Sequence, residues 1–235
     1  MNRRSPRKTV HCLTVEYDGA RFDGWQVQPG RRTVQGELEK ALKVLFKTRV
    51  AVVAAGRTDA GVHATGQAAT FLAPRGFPGD LAAALNRLLP EDVSLLSAVR
   101  CRKDVHARRD AVRKTYRYTI LNRVARPALD RTRVHWVARP LNAAAMGRET
   151  RRWTGKRDFA RFGTPPFPNG SVCNVSAFRV SRKGDRLYIE ITANRFLKRM
   201  ARRLAGHLAQ IGWGRKTPIP LALPARGLTL LEVVY

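Results

Sequence analysis

The stretch VAVVAAGRTDAGVHA, Val50 to Ala64, decides how this chain of 235 residues is read. Val50 to Ala55 is a short apolar run of small and β-branched residues, the pattern of a buried strand. Gly56 and Gly61 then bracket Arg57-Thr58-Asp59-Ala60, and two glycines so placed let a backbone turn sharply or lie close against a ligand. The result is a strand-to-loop elbow that presents one carboxylate, Asp59, in a chain with 45 Lys and Arg against 17 Asp and Glu.

On either side of that elbow the periodicity alternates between two and 3.6. Val10 to Tyr17 alternates as a half-buried strand does and turns at Asp18-Gly19. Thr33 to Phe46 has helical spacing at Val34, Leu38, Ala41, Leu42 and Leu45, with Thr33 as N-cap. After the elbow come a strand over Gln67 to Leu72, a helix from about Asp80 to Leu89 stopped by Pro90, and a strand over Val93 to Val99. This β-α-β-β-α-β order is that of a split-βαβ, ferredoxin-like half. The pattern starts again with a strand over Thr115 to Leu121 and a helix over Asn142 to Trp153. A hairpin of Val175 to Val180 and Leu187 to Thr192, a helix from about Arg195 to Ile211 and a strand over Leu228 to Val234 complete it. The fold class expected is α+β: two ferredoxin-like halves, 1–104 and 105–235, forming one continuous unit with a large, mostly antiparallel sheet, flanking helices and a central basic cleft. Pro165 to Gly170 reads as a loop.

Composition narrows the function. A hydrophobic share of 44% suits a globular chain, and a net charge of +28 points to polyphosphate, above all nucleic acid. Genomic base composition explains the preference for Arg over Lys, but not the scarcity of acids. Cys12, Cys101 and Cys173 stand far apart without a CxxC pair, and the five histidines lack zinc-ligand spacing, so neither a disulfide framework nor a metal site is expected. With no apolar run long enough for a membrane span, and a basic start at 1–8 that no signal-peptide core follows, a cytoplasmic protein with a frayed N-terminus is expected.

Tyr17-Asp18-Gly19, Gly24-Trp25-Gln26, Thr33-Val34-Gln35-Gly36 and, above all, Gly56 to Ala64 resemble the TruA family of tRNA pseudouridine synthases. So do Asn86 with Leu89-Pro90, His106-Ala107-Arg108, Tyr116-Arg117-Tyr118, Ala193-Asn194 with Phe196-Leu197, Met200, Arg202, and Pro224 to Leu228. The resemblance implies the pseudouridine synthase fold and a redox-neutral isomerisation: the bond from ribose to N1 of uridine breaks and the base rejoins through C5. No cofactor and no metal is implied, and the chemistry falls to a carboxylate. Asp59 matches the family's catalytic aspartate. Attack on the ribose, attack on the uracil ring and assisted elimination remain three open roles for it.

An ionised carboxylate enclosed by a stacked base needs a cation nearby. Arg202 resembles the family's basic partner of the aspartate. Arg57 resembles the residue that helps displace the base, although in an extended loop it can equally reach toward RNA. Helical spacing puts Phe196, Met200, Leu204, Leu208 and Ile211 on one apolar face and Arg195, Lys198, Arg199 and Arg202 on the other. A solvated cationic face would look the same; the resemblance favours Arg202 for the site and leaves Arg195, Lys198 and Arg199 as phosphate contacts. Tyr116 shares a strand face with Tyr118 and Ile120. The resemblance promotes Tyr116 to a ring that stacks on a flipped uracil and helps move the C5 proton, while Tyr118 stays in the core. His106, Arg108 and Arg109 fall in the family's RNA-contacting segment. His63 and His106 are read as structural or phosphate-binding rather than as general bases. Asp18, Asp23, Glu37 and Glu39 are read as turn and helix-surface residues.

The chain departs from the family pattern at Val105 and Arg109, where aromatic residues usually stand. It departs again at Arg203, where an Asn is usual, and around Ser171 to Asn174, where an arginine is missing. The substrate implied is the anticodon stem-loop of tRNA, modified at uridines 38, 39 and 40, which calls for recognition of shape rather than of base edges. A homodimer is implied with it. A non-catalytic RNA-binding module would explain the charge but not Asp59, and a magnesium-dependent nucleic-acid hydrolase would need clustered acids.

Overall fold

The computed structural model describes residues 9–74, 76, 77, 79–215 and 221–235; the basic start at 1–8 lies outside them. The chain divides into two compact units, one running through Ala111 and including Tyr235, the other Val112–Val234. In the first unit, β1 (Thr9–Tyr17), α1 (Val34–Phe46), β2 (Val52–Ala54), β3 (His63–Ala73), α2 (Leu81–Asn86) and β4 (Val93–Arg100) follow in the β-α-β-β-α-β order read from the periodicity. β1 lies between β3 and β4, antiparallel to both, and β2 pairs with the far edge of β3.

The second unit contains β5 (Arg113–Asn122), β6 (His135–Val137), α3 (Ala143–Thr150), β7 (Gly155–Asp158), β8 (Val172–Lys183), β9 (Arg186–Ala193), α4 (Met200–Gly212) and β10 (Leu228–Val234). Its sheet runs β10-β5-β9-β8-β7, antiparallel throughout, with the short β6 added parallel to β5. Leaving out β6 and β7, the order of the first unit recurs. Both units are α+β. Around Ser171 to Asn174, where the arginine of the family pattern is missing, the chain is largely strand: Val172 to Asn174 open β8 and pair with Lys156 to Asp158 of β7.

Local chemistry explains most boundaries. α1 starts where Thr33 Oγ1 accepts a bond from the Gly36 amide at 3.3 Å, and it buries Val34, Leu38, Ala41, Leu42 and Phe46. Phe46, not the expected Leu45, completes the buried stripe, because its ring packs 6.1 Å from that of Phe71. α2 is shorter than expected. Asp80 caps it through the amides of Ala82 and Ala83. It stops at Asn86, whose side chain donates to the Leu95 carbonyl at 2.9 Å and accepts from the Leu95 amide at 2.7 Å, clasping β4 before Pro90 is reached. Asn142 caps α3, which ends at Thr150 and gives way to one 3-10 turn, Arg151–Trp153.

Two expectations are corrected. α4 begins at Met200 rather than near Arg195, because Arg199 sits in the left-handed region at φ 65°, where an α-helix of L-residues cannot run. And Cys12 and Cys101 form a disulfide, with Cα atoms 6.0 Å apart. Antiparallel pairing of β1 with β4 creates that proximity, and the Cys101 amide extends it by bonding to the Val10 carbonyl at 2.9 Å. A pair separated by 89 residues has no local spacing signature from which it could be read. Cys173 is free and buried.

Candidate active site

Asp59 lies in the loop between β2 and β3, half-buried, and the backbone around it is fixed from several directions. Its carbonyl accepts the Val62 amide at 3.2 Å, closing a four-residue turn whose third residue, Gly61, has φ +77°. A turn of that hand needs a residue free of Cβ at this position. The preceding Thr58 carbonyl accepts the Trp25 amide at 3.1 Å, and the Gly61 amide reaches the Phe22 carbonyl at 3.3 Å.

The satellite motifs acquire a physical role here. At Gly24, φ is +89° and a Cβ would stand 2.6 Å from the Thr58 carbonyl; at Gly19, a Cβ would strike the Val62 carbonyl. The segments Tyr17-Asp18-Gly19 and Gly24-Trp25-Gln26 therefore press backbone against backbone on both flanks of the Asp59 turn. His63 is buried, with Nδ1 3.0 Å from the Gly19 amide and 3.0 Å from Asp18 Oδ1, which also caps the Ala20 amide. It braces the turn at Gly19, in keeping with a structural histidine. Beneath the loop, Tyr17 Oη and Thr58 Oγ1 share a buried hydrogen bond of 2.8 Å, and Gln67, fully buried, donates to the Gly56 carbonyl at 2.8 Å. Sequence reasoning did not single out Tyr17, Thr58 or Gln67 as site residues; the first two were visible only as motif letters.

Glu37 and Glu39, the acids of α1, have structural roles. Glu37 pairs with Lys40 and Arg32. Glu39, read as a helix-surface residue, accepts the Val52 amide at 3.0 Å and the Gln35 side chain at 2.9 Å, joining α1 to β2.

Arg57, Arg108 and Arg109 are exposed. His106 organises its own turn. Its Nδ1 accepts the amides of Arg108 and Arg109, each at 3.2 Å, while its own amide donates to Asp110 Oδ2 at 2.8 Å. The ring thus shapes the turn that displays the two arginines, and buried Ala107 anchors the turn through Thr70 Oγ1 and Tyr235 Oη.

In the second unit Tyr116 is buried on β5 between Leu230 of β10 and Ile191 of β9. Phe196 meets its ring edge-on at 4.8 Å. Phe196 is therefore not on the apolar face of α4 but in the connection before it, shaping the surroundings of Tyr116. Tyr118 is a core residue as expected, with its hydroxyl donating to the Pro224 carbonyl at 2.8 Å and its ring filling the space that a Cβ at Gly227 would need.

Arg195, Lys198 and Arg199 lie in the same connection, not on the helix. The Arg195 guanidinium donates to the Asn169 carbonyl, the Lys198 carbonyl accepts the Thr164 amide, and Lys198 and Arg199 are exposed. Arg202 is in the first turn of α4 and is half-buried rather than projecting freely. Its Nε donates to the Leu223 carbonyl at 2.7 Å, while the Leu223 amide returns a bond to the Arg202 carbonyl at 3.2 Å. A guanidinium tied at one edge keeps a fixed direction for its remaining donors. Arg203, where the family pattern has an Asn, donates to the Gly163 carbonyl and so ties α4 to the loop at 163–164.

A family model described as tRNA pseudouridine synthase matches residues 13–110 and 150–223 of this chain. The tRNA pseudouridine synthase A of Nitrosococcus oceani is 43% identical over 215 residues, covering 88% of the chain and 81% of that protein. The protein of the same name from Rhodospirillum rubrum is 41% identical over 208 residues, 87% and 75% of the two chains. For that of Caldicellulosiruptor bescii the figures are 38% over 239 residues, 95% and 98%. The first matched stretch includes the Asp59 loop, and the second includes α4.

Proposed function

The chain belongs to the tRNA pseudouridine synthase family, isomerases that act on tRNA, and from that premise we propose that it converts uridines 38, 39 and 40 of the anticodon stem-loop to pseudouridine with Asp59 as the catalytic carboxylate. The reaction breaks the bond between C1′ and N1, rotates the uracil and forms a bond between C1′ and C5. N1 gains a proton and C5 loses one, so nothing is oxidised or reduced and no redox group is required.

The observation that carries this reading is the fixing of the Asp59 turn by backbone bonds and glycine contacts. A carboxylate whose main chain cannot drift meets the geometric demand of attack on a flipped nucleotide. A basic protein that only bound RNA would gain nothing from rigidly displaying an acid toward phosphate. In this reading Arg202 is the basic residue of the reaction, Tyr116 stacks on the uracil and helps to move its C5 proton, and Arg57 assists displacement of the base. His106, Arg108, Arg109, Arg195, Lys198 and Arg199 serve the RNA backbone. The working form is a cytoplasmic homodimer.

The test is tritium release from tRNA labelled at C5 of uridine, with the wild-type chain and Asp59→Ala compared in the presence of a chelator. Release by the wild type, lost by about 10⁴-fold or more in the variant, is expected. Mapping of the product should place pseudouridine at positions 38 to 40. Binding of tRNA without release by either protein would replace the isomerase by an RNA-binding module.

A further inference from the structure

Tyr17, Thr58 and Gln67 form a buried polar group directly under the Asp59 turn, contributed by β1, the loop and β3. Gln67 is fully buried and donates to the carbonyl of Gly56, the first residue of the loop. Its side chain also reaches the Tyr17 hydroxyl. Tyr17, 3% exposed, shares its 2.8 Å hydrogen bond with Thr58 Oγ1, and Thr58 is the residue immediately before Asp59. Burial, partly offset by the bonds from Thr58 and Gln67, pushes the Tyr17 phenol up to about 12, so it remains a neutral donor at any working pH.

Either hydroxyl can donate in the bond between Tyr17 and Thr58, while the Gln67 amide nitrogen donates to the Gly56 carbonyl. Gln67 Oε1, by contrast, is buried without a partner. A buried acceptor left unpaired costs stability, which a purely apolar filling of this space would avoid. The polar group is retained at that cost beneath the loop that presents the carboxylate.

We propose that Tyr17, Thr58 and Gln67 are positioning residues for the isomerisation: they set the height and orientation of the Asp59 carboxylate from below, without touching the nucleotide. The proposal rests on the assignment of Asp59 as the catalytic carboxylate. Its signature is a defect in the chemical step with substrate binding preserved, because all three side chains are buried.

The experiment measures single-turnover tritium release, the Kd for tRNA and the thermal midpoint for Tyr17→Phe, Thr58→Val, Thr58→Ser and Asp59→Ala. Tyr17→Phe and Thr58→Val are expected to slow the single-turnover step roughly tenfold or more, with Kd within about twofold of wild type. Thr58→Ser should recover most of the rate lost in Thr58→Val, since it restores the hydroxyl while omitting the methyl. If Tyr17→Phe fails to fold, the Val and Ser pair at position 58 decides. Wild-type single-turnover rates in Thr58→Val overturn the proposal, as does a loss confined to Kd or to the thermal midpoint. Full activity in Asp59→Ala would instead remove the premise, an outcome separable from the first because Asp59→Ala is read in the same assay.

Discussion

Gly24 and Gly30 both hold positive φ, at +89° and +68°, but a Cβ at Gly24 would meet the Thr58 carbonyl at 2.6 Å whereas one at Gly30 meets nothing within 4 Å. Gly30→Ala should therefore lose only the left-handed penalty, about 1 kcal/mol. Gly24→Ala adds a backbone clash that only movement of the Asp59 turn can relieve, for a total of about 3 kcal/mol, and it should depress tritium release beyond what its stability explains. Urea unfolding of the two variants beside single-turnover assays checks both statements. The contrast also shows what a sequence conveys at this scale. Asp59 stands out because its loop is framed by glycines and its chain is basic. The reason for Gly19 and Gly24 is hidden, because a tight approach between segments some forty residues apart leaves no local pattern. The same holds for Glu39 and Gln67, each of which bonds a main-chain group more than ten residues away in sequence.

At the scale of elements, periodicity finds the cores of α1 to α4 and of the strands other than β6 and β7, which at three and four residues are too short to show a period, and the boundary errors fall where one residue's backbone or side chain interrupts the pattern. Periodicity starts α4 too early because Arg199 carries no mark of its left-handed φ, and the structure moves Arg195, Lys198 and Arg199 from the helix to the connection that precedes it. Lys47 is similar: it ends α1 at φ 58°, a conformation glycine adopts without penalty. Lys47→Gly should raise stability by about 1 kcal/mol with catalytic rate unchanged, as a thermal midpoint and a tritium-release assay would register. β6 gives a pH prediction. Burial, with Arg226 adding to it, lowers His135 from 6.5 to about 4, and His11 is lowered by burial and by Arg100. The unfolded chain takes up these protons as pH falls below 6.5, while folded His135 resists until about 4, so stability should decline across that window. Since His135 Nδ1 has no partner, His135→Phe should flatten the decline in urea midpoints between pH 6.5 and 4. A second decline should survive in that variant. Burial disfavours the Glu149 carboxylate, but bonds from His207 and Trp153 outweigh this and lower its pKa, so its contribution is complete above 4.5 and is lost as pH falls below that.

For the whole molecule, the quantity legible from composition alone is charge, and it bears on affinity rather than on chemistry. A net charge of +28 predicts that tRNA binding is driven largely by release of counterions from phosphate. The logarithm of affinity should fall with the logarithm of salt by about 0.7 to 0.9 per phosphate neutralised, and a flat response would contradict the reading. Structure adds where to look. His106 organises the turn that exposes Arg108 and Arg109, so Arg108→Ala and Arg109→Ala should each reduce the slope by about one. Asp59→Asn removes a charge that repels phosphate, and it should bind tRNA as tightly as wild type or more so, with an unchanged slope and no turnover. Titrations of the three variants across a range of salt concentrations thus separate two properties that the sequence presents together. In the proposed reading, the many cations determine how strongly tRNA is held, and one acid, Asp59, determines whether the bound uridine reacts.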